Sequence, residues 1–136
     1  MGIERRNVEG LAEPPGYSHV AVASGARLVF TAGAVPLDER GEIVGPEDAE
    51  AQAEQVLTNL LRQLEAGGAT PADVVKTTVY VVGGSDERQS QVWEVVQRSP
   101  LAPAPSTLVG VALLGYRGQL VEIEAIAVVA DDRSPG

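Results

Sequence analysis

Two carboxylates, an imidazole, a phenol and a guanidinium are the side chains of this sequence best suited to chemistry. Glu122 and Glu124 stand two residues apart in the run Gln119 to Val129, QLVEIEAIAVV. His19 is the only histidine and follows Tyr17 by two positions, while Arg117 sits in the turn-like stretch Gly115-Tyr116-Arg117-Gly118. A strand would place Glu122 and Glu124 on one face, about 6.5 to 7 Å apart. Carboxyl groups at that separation suggest glycoside hydrolysis, in which an acid and a base flank the scissile bond. Here both leave the same strand face, and one Trp, three Tyr and one Phe offer little surface for stacking a sugar. The plainer reading makes them solvated or interface ion-pair residues. Imidazole exchanges a proton near neutral pH, so His19 is the natural acid/base candidate, with packing as its alternative. Tyr17 is either a packed turn residue or a pocket wall with a usable hydroxyl.

These groups need a scaffold, and the closing run is the element to build it on. Six of its eleven residues are Val, Ile or Leu, and nothing in it breaks a ladder. Val121, Ile123, Ala125, Ala127 and Val129 face one way; Glu122, Glu124, Ile126 and Val128 face the other. A strand apolar on both sides is normally covered on both, so helices are expected on one face and further protein on the other. Glu122 and Glu124 then point into the second covered space, where a carboxylate needs a partner, water or a proton.

A chain of 136 residues is expected to form one domain spanning 1–136, large enough for a real core. With no cysteine, disulfides, thiolate nucleophiles and Cys-ligated metal centres are excluded. A single histidine cannot build a multi-histidine metal site within one chain. The opening MGIERRNVEG has no apolar core of a signal peptide, and no apolar run approaches the roughly 20 residues of a membrane span. A cytoplasmic protein without a membrane partner is expected. A net charge of −9 argues against nucleic acid, whose phosphates call for a basic surface.

Along the chain, Ile3 to Val8 reads as a short strand, and Glu13-Pro14-Pro15-Gly16 as a breaker cluster. Val20–Ala23 and Leu28–Ala32 read as two strands of a hairpin or meander around Ser24-Gly25. Gly33 next to them suggests unusual φ or close approach. A helix is expected from near Pro46 to Gly67-Gly68, with Val56, Leu57, Leu60, Leu61 and Leu64 as its apolar stripe. Thr70 to Asp73 reads as a capped turn leading into the strand Val74–Val82. Ser85 then starts a second helix with Val92, Trp93 and Val96 on its inner side, Trp93 being core rather than ligand platform. Pro100, Pro103 and Pro105 keep the next stretch extended, and Ser106 to Leu114 reads as a strand. The order predicts an α+β two-layer sandwich with both helices on one face of a mixed sheet. The uncovered face calls for a homo-oligomer.

Several stretches are shared with a known family: Pro15-Gly16-Tyr17, Val29 to Gly33 ahead of Val35-Pro36, the helix from Glu50-Ala51-Gln52 to Leu64-Glu65-Ala66-Gly67, Asp73 to Tyr80, Pro103 to Thr107, and Val121 to Val128. In order and spacing they resemble the RidA/YjgF/UK114 family over nearly the whole chain. The resemblance implies a chorismate-mutase-like protomer, a homotrimer whose sheets form a central barrel, and ligand pockets in the clefts between subunits. It also implies hydrolysis of reactive imines and enamines to 2-oxo acids and ammonia, without metal or organic cofactor. Tyr17, Gly33 and Glu122 match the family pattern, Glu122 standing where members position or activate a water. Active members carry an arginine directly before Ser106-Thr107, where its planar fork holds the substrate carboxylate. This chain has Pro105 there, with Ala32 and Ala34 replacing polar neighbours of Gly33. His19 stands where many members have Gln, and the turn bearing Tyr116 and Arg117 is longer.

Two functions follow as expectations. One is a divergent deaminase or hydrolase: Glu122 orients water, Tyr17 lines the cleft and His19 assists. Arg117 or a backbone N–H near Ser106 and Thr107 then receives the anionic end of an imine or 2-oxo acid. The other is a trimeric binding or regulatory protein that kept the cleft and lost the chemistry. Pro105 favours the second, or a changed substrate, because a missing charge clamp costs on the order of 2 to 5 kcal/mol in anion recognition. An endoribonuclease role ranks third, since the net negative charge repels RNA.

Overall fold

The computed structural model describes residues 2–25, 27–83 and 85–130. Its described elements are β1 (Gly2–Arg6), β2 (Val20–Ser24), β3 (Arg27–Phe30), α1 (Ala49–Ala66), a 3-10 turn (Pro71–Asp73), β4 (Val74–Val82), α2 (Asp86–Gln97), β5 (Ser106–Val111) and β6 (Val121–Val129). Four strands form a mixed sheet in the order β3-β6-β4-β5, with β4 and β5 parallel and the other pairs antiparallel. Both helices pack on one face of this sheet, giving the α+β architecture expected.

The alternation of β6 is realised residue by residue. Val121, Ile123, Ala125, Ala127 and Val129 are buried against the helices, whereas Glu122, Glu124 and Ile126 are half-buried on the opposite face. From α1, Ala53, Val56, Leu60 and Leu64 enter the same core and are fully or nearly fully buried. Each large aliphatic side chain so buried contributes about 1.5–3 kcal/mol relative to exposure. Helix α2 adds Val92, Val95 and Val96.

Local chemistry sets the helix ends. Asp48 caps α1, its Oδ1 accepting from the Ala51 N–H at 3.0 Å. The helix therefore begins three residues after Pro46, later than expected, because Gly45 (φ 75°) and Glu47 (φ 62°) are left-handed and cannot belong to it. At the far end the Ala69 N–H reaches Leu64 O and the Gly68 N–H reaches Glu65 O, with Gly68 at φ 84°. This is the glycine-dependent stop foreseen at Gly67-Gly68. Ser85 caps α2 through the Arg88 N–H.

Two strand expectations are corrected. Strands β2 and β3 do not pair as a hairpin: β2 joins β1 in a separate two-stranded antiparallel sheet, and β3 joins β6. Pairing with distant partners outweighs the local turn, since β1 matches all five residues of β2 and β6 all four of β3. Arg5 fastens the smaller sheet to the larger, its Nη2 donating to the carbonyls of Ala72 and Val74 at 2.8 Å each. Strand β5 also ends at Val111, short of Leu114.

Candidate functional site

Gly33 and Glu122 meet because the chain leaving β3 runs on alongside β6. The Thr31 N–H donates to Ala125 O at 3.0 Å and the Ala34 N–H to Ile123 O at 2.8 Å. Between these contacts Gly33 lies directly under the Glu122 carboxylate. A Cβ at position 33 would sit 2.2 Å from Glu122 Oε2 and 2.5 Å from its Cδ. Close approach, not unusual φ, is thus what this glycine permits: its φ is not positive. The other carboxylate oxygen, Oε1, accepts from Gln119 Nε2 at 3.0 Å. Gln119 is itself buried and doubly anchored, donating to Val121 O at 3.0 Å and accepting from the Tyr116 N–H at 3.2 Å. The turn carrying Tyr116 and Arg117 is in this way tied to Glu122. Gln52, fully buried on α1, supports the same turn through Gly118 O and the Leu120 N–H.

Glu124 has a different partner. Tyr80, which stands opposite Glu122 in the β4–β6 register, donates its hydroxyl to Glu124 Oε1. That bond, followed by desolvation and the negative charges of Glu124 and Glu122, holds the Tyr80 phenol above its ordinary value near 10. Lys76 lies on the same face, its Nζ donating to Thr107 Oγ1 at 2.6 Å.

Tyr17 and Ser106 come together elsewhere. With Pro15, Trp93 and Leu108 they line a cavity of about 270 Å³ between the N-terminal loop, α2 and β5. Tyr17 meets the Trp93 ring edge-on at 6.1 Å, and Trp93 Nε1 donates to Pro15 O at 2.8 Å. Trp93 packs partly against the core, as expected, yet also forms a wall of this cavity. Ser106 Oγ accepts from Thr77 Oγ1 at 2.7 Å, and Pro105 O from the Thr77 N–H at 3.0 Å. Ser106 and Thr107 leave β5 on opposite sides, Ser106 toward α2 and Thr107 toward the face of Glu122.

The remaining expected residues stand apart. His19 meets a different arrangement from an acid/base site. Its Nδ1 accepts the Val8 N–H at 2.8 Å and its Nε2 donates to Ala12 O at 3.1 Å. Both ring nitrogens hold the loop 8–19 together, and neither is free beside Glu122. Arg117 is exposed, on the connection that follows the C-terminal end of β5, whereas Pro105 and Ser106 mark its N-terminal start. Five residues of extended chain, roughly 17 Å, separate those ends, so Arg117 does not reach Pro105 within one protomer. Glu122 and Thr107 share a face but are two strands and two residues apart, about 12 Å between Cα atoms. Gln119, Tyr80, Lys76 and Trp93 were not predicted as site residues. Their placement depends on cross-strand register and loop docking, which no local pattern encodes.

The chain resembles known proteins in sequence and in fold. The family model described as Endoribonuclease L-PSP matches residues 11–129. A 2-iminobutanoate/2-iminopropanoate deaminase of Salmonella typhimurium is 38% identical over 103 residues, covering 74% of this chain and 79% of its own length. The crystal structure of the Rid-family protein YyfB from Yersinia pestis superposes with a TM-score of 0.84 at 36% identity, covering 95% of this chain and all of that one. Escherichia coli TdcF, solved with bound serine, gives 0.67 at 30% identity over 94% of this chain and 98% of its own. With a matching family model across most of its length and the same order of strands and helices, the chain belongs to the endoribonuclease L-PSP family, that of the Rid and YjgF/YER057c/UK114 proteins.

Proposed function

We propose that residues 1–136 act as one domain of a homotrimer that binds a small imine, enamine or 2-oxo acid in the cleft between subunits and hydrolyses the imine. The observation that carries this reading is the Glu122 carboxylate, fixed by Gln119 at one oxygen and laid over Gly33 at the other. A half-buried carboxylate held this way is suited to align a water and take its proton as the water adds to the C=N carbon. Glu122 passes that proton to the nitrogen, and the resulting carbinolamine expels ammonia as its hydroxyl proton also moves to nitrogen and the ketone forms, so imine and water become 2-oxo acid and ammonia. The deaminases among the relatives carry this reaction in their names. TdcF with serine supports a small amino-acid-like ligand.

Two features support assembly around the cleft. The sheet face bearing Glu122 also exposes Leu28 (59%) and Phe30 (67%), an apolar surface suited to burial by another copy. The Glu122 cluster and the Tyr17–Ser106 cluster are too far apart to grip one small ligand within a protomer. A neighbouring copy bringing its Tyr17, Pro105, Ser106 and Thr107 to this protomer's Glu122 resolves that separation. It also lets Arg117 of one copy approach Pro105 of the next. Because β5 is an edge strand whose odd-numbered backbone groups pair with β4, the Ser106 N–H faces outward and is a second candidate anion donor.

The test follows imine decay after its generation from an L-amino acid by an oxidase. Wild type is expected to accelerate decay, and Glu122→Gln to slow it about 10²-fold; equal rates for the two would remove the catalytic reading. The second reading, a ligand-binding protein without turnover, is favoured by Pro105 alone. It predicts 2-oxobutanoate binding with no effect on imine lifetime.

A further inference from the structure

Lys76 is the only lysine in the chain. It reaches the Glu122 face where the β4–β6 register slips between Val74 and Lys76, an irregularity of the kind that re-aims a side chain. Glu124 lies close by on that face, opposite Thr78, and would be the expected partner for an ammonium. The two do not pair. Glu124 takes the Tyr80 hydroxyl, Glu122 takes Gln119, and Lys76 turns to the Thr107 hydroxyl. Among the described residues the salt bridges are Arg6 with Glu4 and Arg98 with Glu50, so the Lys76 charge is uncompensated in a protein of net charge −9. An ammonium has three donors, and Thr107 uses one.

Thr107 stands two residues after Pro105, which immediately precedes β5. The Thr77 N–H bonded to Pro105 O fixes that part of the strand beside β4. The ammonium is therefore held by a residue two positions from Pro105, where the family resemblance expects an arginine and this chain has a side chain without donors. From this geometry we infer that Lys76, oriented by Thr107, is the anion-binding residue of the cleft and receives the carboxylate of a 2-oxo or 2-imino acid. The inference deepens the function proposed above and rests on it for the location of the cleft. A point charge on a flexible stem replaces the planar fork, so recognition depends on charge more than on bidentate shape.

Calorimetric titration with 2-oxobutanoate and with butanone, its neutral counterpart, tests this in the full-length protein. Wild type is expected to prefer the anion by at least about tenfold, the size of one charge-assisted hydrogen bond. Lys76→Met erases the preference without weakening butanone binding, and Lys76→Arg restores it. Lys76→Gln keeps a donor for Thr107 and loses only the charge, so it stands in if Lys76→Met fails to fold. A preference that survives in the neutral variants, or is absent in wild type, overturns the assignment. Glu122→Gln separates the two proposals: it slows turnover about 10²-fold and, having removed a negative charge, does not lower the preference for the anion. Wild type that shows the preference yet hydrolyses no imine removes the catalytic reading and upholds the role of Lys76.

Discussion

Replacing Gly33 by alanine should separate function from stability at this site. The new methyl would lie 2.2 Å from Glu122 Oε2, 2.5 Å from Cδ and 2.7 Å from Cγ. Ordinary carbon contacts begin near ~3.5 Å, so the carboxylate must retreat by roughly 1 Å. The three nearest atoms all belong to one flexible, half-exposed side chain, and the backbone at Gly33 is not left-handed, so the fold can accommodate the methyl. The retreat breaks the 3.0 Å bond to Gln119. A hydrogen bond to a charged group contributes about 1.5–3 kcal/mol net, and the displaced carboxylate is half-exposed and regains water, so the stability loss should fall toward the lower end, about 1–2 kcal/mol. Misplacing a catalytic group by ~1 Å costs about 10²-fold in rate. Urea denaturation and imine decay measure the two quantities on the same preparations. Because the methyl acts through Glu122, Gly33→Ala combined with Glu122→Gln should be no slower than Glu122→Gln alone. Wild-type turnover by Gly33→Ala would refute the view that the position of this carboxylate controls the reaction.

Other perturbations address the supports. Gln52→Leu strands the carbonyls of Gly45 and Gly118 and the N–H of Leu120, and should cost about 3 kcal/mol or more in urea denaturation; a loss under ~1 kcal/mol would show that the turn holds without it. His19→Ala removes two backbone contacts near the surface and should cost about 1 kcal/mol while leaving the pH dependence of turnover unchanged. A lost limb of that pH profile would return His19 to the chemistry. The Tyr80 phenol is raised because its proton is shared with Glu124, so the bond stabilises the fold fully below the ordinary tyrosine range and is lost as pH climbs through the raised value. Tyr80→Phe should therefore delete the latest step in an ultraviolet phenolate titration and flatten the fall in stability above about pH 10; a titration unchanged in shape would contradict the bond.

Much of the site was legible one residue at a time. Gly33 next to an apolar run signalled unusual φ or close approach, of which the structure selects close approach, and the alternation of β6 placed Glu122 and Glu124 on the face away from the helices. The first rests on the missing side chain of glycine and the second on the two-residue period of a strand, both of which the sequence carries directly. The stripe of α1 and its glycine stop were equally local. Its start was not, since Asp48 caps the helix only because Gly45 and Glu47 adopt left-handed backbone that the acidic residues after Pro46 do not reveal.

By itself, then, the sequence determined the helices and strands, the buried side of β6, the family resemblance and the carboxylate to watch. These are properties of short windows, where side-chain period and capping chemistry act over a few residues. Only the tertiary structure decided which groups those carboxylates and cations would meet. Gln119 and Gly33 clasp Glu122, Tyr80 diverts Glu124 from Lys76, Lys76 settles on Thr107 and His19 is spent on its own loop. Each outcome depends on strand register and on contacts between residues far apart in the chain, where a hydrogen bond goes to whichever partner packing brings within about 3 Å.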